Sequence, residues 1–235
     1  MRLDKFLSNM GIATRSESGK AAKRGGITVN GVVCLRADTQ IDPCCDVVSF
    51  FGKVIKYQQF RYIMLNKPEG YVSATEDGRD KTVLELLPEE YRKFNLFPCG
   101  RLDKYTVGLM LLTDDGELAH KLLSPKHHVS KKYSYKSELP LSDADKKRLE
   151  EGTVIDGGYK TKPSVIELLE DRKSGTITLT EGKYHQIKQM FDSVKNKITF
   201  LERITFGPLS LDENLERGEW RELTDDEISV LKAAT

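Results

Sequence analysis

The sequence has no apolar run of the roughly 18 residues needed to span a membrane as a helix. Its first residues, Met1-Arg2-Leu3-Asp4-Lys5, are charged where a secretory leader would be apolar, so a cytoplasmic protein without a membrane partner is expected. Cysteine is scarce. Cys34, Cys44, Cys45 and Cys99 make no Cys-x-x-Cys pair and no Cys/His cluster at zinc spacing, which argues against a metal site or a disulfide framework and for reduced thiols. Internal repeats and low-complexity tracts are also missing, which disfavours a solenoid. A net charge of +1 offers no global signature of a nucleic-acid binder.

That sum hides an uneven distribution. Up to residue 56, nine basic side chains face five acidic ones, whereas residues 212–226 are acidic. Arg2, Lys5, Arg15, Lys20, Lys23 and Arg24 of the basic set are therefore candidate phosphate contacts, with a solvated surface as the alternative reading.

Periodicity divides the 235 residues in two. Leu3, Phe6, Leu7 and Met10 follow helical spacing and stop at Gly11. Ser16 is the expected N-cap of a second helix that carries Ala21 and Ala22 and ends at Gly25-Gly26. Asn30-Gly31 is a type I′ turn signal between two valine-rich segments, and a further strand is expected at residues 47–50. These features give a small unit at residues 1–56, a linker at 57–60 and a second domain at 61–235. In the second domain, strands are predicted at 62–65, 109–113, 133–139, 153–155, 164–168, 176–180 and 198–206. Helices are predicted at 117–123, 142–151, 184–194 and 225–232. Turns such as Asp156-Gly157-Gly158 are too tight for parallel crossovers, so the expected class is α+β with a mixed, mainly antiparallel sheet.

Three stretches carry chemistry. Gly100-Arg101-Leu102-Asp103-Lys104-Tyr105-Thr106-Val107-Gly108 is a polar loop between glycines, leading into the apolar strand Leu109-Met110-Leu111-Leu112-Thr113. Asp103, flanked by Arg101 and Lys104, is either a carboxylate displayed by a rigid strand or part of a surface turn. In residues 181–191, Ile187, Met190 and Phe191 form an apolar stripe while His185 and Lys188 are read onto another face. Glu181-Gly182 would open the helix start to an anion, or the polar face is merely solvated. Ser124-Pro125-Lys126-His127-His128-Val129-Ser130-Lys131-Lys132-Tyr133 interleaves cations with rings, which suits phosphates and stacked bases. The His127-His128 pair reads better as a capped turn than as metal ligands, and Tyr133 reads first as a core residue.

Together these stretches resemble the RsuA branch of the pseudouridine synthases. The Gly-Arg-Leu-Asp-x-x-Thr-x-Gly-Leu loop stands at residues 100–109, the Lys-x-Tyr strand at Lys131-Lys132-Tyr133, and the Glu-Gly-x-Tyr-His-Gln-x-Lys helix at residues 181–188. Residues 1–56, with Arg15-Ser16 and Val29-Asn30-Gly31, resemble an S4 RNA-binding domain. The resemblance implies a small N-terminal S4 domain followed by a pseudouridine synthase domain. It makes Asp103 the catalytic carboxylate, Tyr133 the ring stacked on the target base and Lys188 the partner of Asp103, with Arg101, Lys131 and His185 as further RNA contacts.

It further implies a monomer that needs no cofactor and no metal, and a 16S rRNA substrate at the uridine-516-type site within a small-subunit assembly intermediate. The alternatives at this level are a sister-branch enzyme acting on 23S rRNA, a non-catalytic S4 assembly protein, and a glycosylase built around Asp103. Retention of Asp103, Tyr133 and Lys188 together argues against a non-catalytic protein.

Overall fold

The computed structural model describes every residue except Pro125 and His128, so the His127-His128 reading falls partly outside the described residues. The chain divides into two compact units, Met1–Phe60 and Arg61–Thr235.

In the first unit, helices α1 (Leu3–Asn9) and α2 (Arg15–Lys23) pack against strands β1 (Ile27–Val29), β2 (Val32–Val33), β3 (Val48–Phe50) and β4 (Lys53–Ile55), in sheet order β2-β1-β3-β4. Leu3, Phe6, Leu7, Ala22, Ile27 and Val48 close its core, so the apolar stripe of α1 faces inward as its spacing predicts. Asn30 and Gly31 have φ of 53° and 80°, the double left-handed geometry of a type I′ turn, and register Val29 against Val32. The N-cap of α2 is Thr14, not Ser16. The Thr14 hydroxyl accepts from the Glu17 amide while the Glu17 carboxylate accepts from the Thr14 amide, a reciprocal arrangement closed to Ser16, which has Gly19 three residues on. Tyr57, in the expected linker, stacks on Phe6 with ring centroids 5.9 Å apart.

The second unit contains β5 (Tyr62–Lys67), β6 (Phe97–Cys99), β7 (Val107–Thr113), α3 (Gly116–Leu123), β8 (Lys131–Ser137), α4 (Asp143–Glu150), β9 (Val154–Ile155) and β10 (Tyr159–Lys160). It continues with β11 (Val165–Leu168), β12 (Ser174–Leu179), α5 (Gln186–Ser193), β13 (Ile198–Phe206), β14 (Leu209–Ser210), β15 (Trp220–Glu222) and α6 (Asp225–Ala233). Among the described residues nine strands form one sheet, in order β11-β12-β8-β13-β7-β5-β15, with β14 on β13 and β6 on β7. Only β13 and β7 run parallel there, so the mixed, mainly antiparallel sheet is as expected. Asp156-Gly157-Gly158 joins the antiparallel pair β9 and β10.

β7 is buried along its whole length, because β13 and β5 flank it and the sheet's interior covers it. Gly108 is required here: a Cβ at that position would lie 2.4 Å from the Arg203 carbonyl, and its φ is +98°. The strand β15 was not anticipated, since three residues within an acidic segment carry no alternation of their own and pair only because β5 offers an edge. No helix of the described residues is long and apolar enough to cross a membrane.

Candidate active site

The loop before β7 is held by its backbone. The Thr106 amide donates to the Asp103 carbonyl at 3.0 Å, closing a turn around the carboxylate. The Ser73 hydroxyl donates to the Leu102 carbonyl at 2.7 Å and accepts from the Leu102 amide at 2.9 Å. Beneath the loop, the fully buried Lys67 ammonium donates to the carbonyls of Pro68, Asp103, Lys104 and Thr106 at 2.8 to 3.2 Å. Burial pushes Lys67 down to about 8, an effect that the nearby Asp103 charge only partly opposes. Sequence reasoning missed both Lys67 and Ser73. The available signal was a lysine ending the apolar strand at Asn66-Lys67-Pro68.

Asp103 has two cationic or potentially cationic neighbours. Lys188 Nζ donates to Oδ2 at 2.9 Å, and His185 Nε2 lies 3.3 Å from Oδ1. Arg101, two residues before Asp103, is exposed, and Lys104 turns away to pair with Asp80. The flanking charges that drew attention to Asp103 are therefore not its partners. Lys188 reaches Asp103 because Ile187, Met190 and Phe191 anchor α5 in the core and leave its first turn at the cavity.

His185 is not on the helix as expected. It precedes α5 in the left-handed region, with φ of 49°, and stacks on Tyr184 at 3.9 Å between centroids. Glu181 is not an open anion-binding start either. Its buried carboxylate accepts from the Tyr159 hydroxyl, the Lys162 amide and Gln186 Nε2 at 2.6 to 2.9 Å, which ties the approach to α5 into the fold.

Asp103, Lys188, His185 and Glu181 border a cavity of about 620 Å³, large enough for a nucleotide, which Tyr133 and Thr106 also line. Tyr133 is 9% exposed on β8. Lys131, expected as an RNA contact, is equally buried, and its ammonium donates to the Val129 carbonyl at 3.0 Å. Burial, reinforced by Arg203, pushes Lys131 down to about 8. Arg203 itself is 1% exposed, lines the same cavity and was missed from sequence.

In the first unit Lys5, Arg15, Lys20, Lys23 and Arg24 are exposed, while Arg2 is engaged by Asp4 at 2.7 Å. Among the described residues no group of His, Cys, Asp or Glu side chains has the grouping of a metal site.

Comparison with known proteins gives a consistent picture. The profile of the RNA pseudouridylate synthase family matches residues 61–193, and that of the S4 domain matches residues 1–47. The chain is 45% identical to the uncharacterised RNA pseudouridine synthase YtzG of Bacillus subtilis, over 98% of each protein. It is 37% identical to ribosomal small subunit pseudouridine synthase A of Escherichia coli, over 97% of this chain and 99% of that protein. A solved structure described as a pseudouridylate synthase superposes with a TM-score of 0.69 at 37% identity, covering 98% of this chain and 99% of that one.

Proposed function

The chain belongs to the RNA pseudouridylate synthase family, is an RNA pseudouridine synthase of the RsuA type with an N-terminal S4 domain, and from that premise we propose that it isomerises one uridine of 16S rRNA, at the uridine-516-type site, with Asp103 as the catalytic carboxylate. The observation that carries the assignment of Asp103 is its placement: a carboxylate fixed by Lys188 at 2.9 Å, on a loop braced by Lys67, at a cavity lined by Tyr133. The small-subunit target is supported by relatives named as small-subunit synthases at 37% to 41% identity over nearly the whole chain.

Pseudouridine formation breaks the bond from ribose C1′ to uracil N1 and rejoins C1′ to C5. The base loses its C5 proton and N1 gains one, so there is no net redox change. Asp103 acts either as the nucleophile at C1′ or as the base that takes a ribose proton. Tyr133 offers a ring against which the extruded base stacks, offsetting an unstacking cost of roughly a few kcal/mol. Lys188 holds the carboxylate's orientation, and His185 moves in this reading from RNA contact to second neighbour of Asp103.

Residues 1–56 act as the RNA-binding domain, with Lys5, Arg15, Lys20, Lys23 and Arg24 on phosphates. The protein works as a cytoplasmic monomer on a small-subunit assembly intermediate. Mapping pseudouridine across 16S and 23S rRNA in cells with and without the gene tests the assignment. Loss of one 16S pseudouridine is expected, and loss of a 23S one instead overturns the target.

A further inference from the structure

Two buried cations stand in the cavity wall without a carboxylate. Lys131 and Tyr133 are two residues apart on β8 and so share a face of the sheet, and Arg203 on β13 is the direct cross-strand partner of Tyr133. All three line the cavity. Phe206, opposite Lys131, lies near both cations: the Lys131 ammonium is 5.6 Å and the Arg203 guanidinium 5.1 Å from its ring centroid. Their hydrogen bonds go to neutral acceptors. Lys131 donates to the Val129 carbonyl, and Arg203 to the Leu109 carbonyl at 2.7 Å and to Met110 Sδ at 3.8 Å. Among the described residues no Asp or Glu pairs with either, and the Asp103 carboxylate is taken by Lys188 and His185.

Burying two like charges side by side is costly, and ordinary core packing would favour apolar side chains there. The arrangement makes sense where negative charge appears only during the reaction. A base stacked on Tyr133 presents its edge to the neighbours of that ring on the same face, which are Lys131 and Arg203.

We propose that Lys131 and Arg203 form the site that stabilises the leaving uracil. When the C1′–N1 bond breaks, its electron pair stays on N1 and the charge spreads over the ring and its carbonyl oxygens. The two cations hold that anion until C5 bonds to C1′, which displaces the Asp103 carboxylate on the nucleophilic route or is accompanied by return of the ribose proton from Asp103 on the other; C5 then gives its proton to water and N1 takes one up. Both routes open to Asp103 release uracil with this electron pair, so the proposal does not depend on choosing between them. It rests on the reading of Asp103 as the catalytic carboxylate. Preorganised charge facing a developing anion in a water-poor site is worth about a hundredfold in rate per group.

The test uses single-turnover rates of C-linked nucleoside formation, read by digestion and chromatography, on small-subunit rRNA transcripts made with uridine or with 5-fluorouridine. Fluorine withdraws charge and makes the base a better leaving group, so a lost cation matters less. Lys131→Met should slow the uridine reaction about a hundredfold and the 5-fluorouridine reaction about tenfold or less. Lys131→Arg should restore most of the rate.

Thermal unfolding supplies the second readout. Replacing a buried ammonium by an apolar chain of similar length should leave the melting temperature unchanged or raise it, whereas loss of a merely structural lysine would lower rate and stability together. Arg203→Lys, which keeps the charge, should show the smaller defect of the same kind. Equal slowing of both substrates, or no slowing, overturns the proposal. Persisting activity of Asp103→Asn would instead remove the reading beneath it.

Discussion

The Lys188 ammonium lies 2.9 Å from Oδ2 of Asp103, although 85 residues separate the two in sequence. The contact joins the loop before β7 to the first turn of α5, so two elements far apart in sequence share one charge pair. Asp103→Asn should abolish pseudouridine formation while RNA binding stays near wild type, since Asn keeps the shape and loses the reactive oxygen. Lys188→Met should also reduce the rate severely. The double variant should lose far less than the two effects combined, because the residues act as one unit. Additive losses, or an active Asp103→Asn protein, would remove Asp103 from the chemistry.

Gly108→Ala should destabilise the protein by about 3 kcal/mol or more. The new methyl would sit 2.4 Å from the Arg203 carbonyl on a residue with φ of +98°, at the point where β7 pairs with β13. Gly78→Ala, where nothing lies within 4 Å, is the control and should be neutral. A urea midpoint for Gly108→Ala equal to that of the control would show that the strand pair yields at little cost.

Stability should rise between about pH 8 and pH 10. Lys67 and Lys131 are lowered to about 8 in the folded chain from a usual 10.5, so in that window the unfolded chain binds more protons and raising the pH favours the fold. At higher pH the trend reverses, because burial holds Cys99 and Tyr135 up to about 12 and the unfolded chain then loses protons first. Melting temperatures across this range should show a maximum at about pH 10, with a shallower rise in Lys131→Met. A steady decline from neutral pH would contradict the burial of both lysines in their charged-state environment.

Removing residues 1–60 should weaken RNA affinity and site selection while leaving the remaining unit folded, since the contacts of the chain cluster separately on either side of that point. Full-length binding should weaken steeply with salt and the truncated protein's less so, because fewer phosphates are neutralised. Filter binding over a salt series measures both slopes. Equal slopes would deny the first unit its RNA role.

Local rules reached far into this fold. Helical spacing of Leu3, Phe6, Leu7 and Met10 is satisfied by burying one stripe, whatever lies opposite. Asn30-Gly31 adopts its turn because few other pairs tolerate two left-handed residues, and residues 198–206 form β13 as read. Boundaries went astray where side chains decide them: Thr14 outcompetes Ser16 as a cap because Glu17 is three residues on, and His185 leaves α5 to stand beside Asp103. In both cases a specific bond overrides periodicity.

The sequence by itself determined the S4-like and synthase-like segments, the α+β class and Asp103 as the residue to watch, since each depends on neighbours within a few positions. Tertiary structure alone decided that Lys104 turns to Asp80, that His185 joins Lys188 at Asp103, that Lys67 braces the loop from below and that Lys131 and Arg203 face the cavity without counterions. The physical reason is that a side chain's partner and its exposure are properties of strand order and close packing. These bring together residues such as Lys67, Asp103 and Lys188, whose separations in sequence carry no periodic signal.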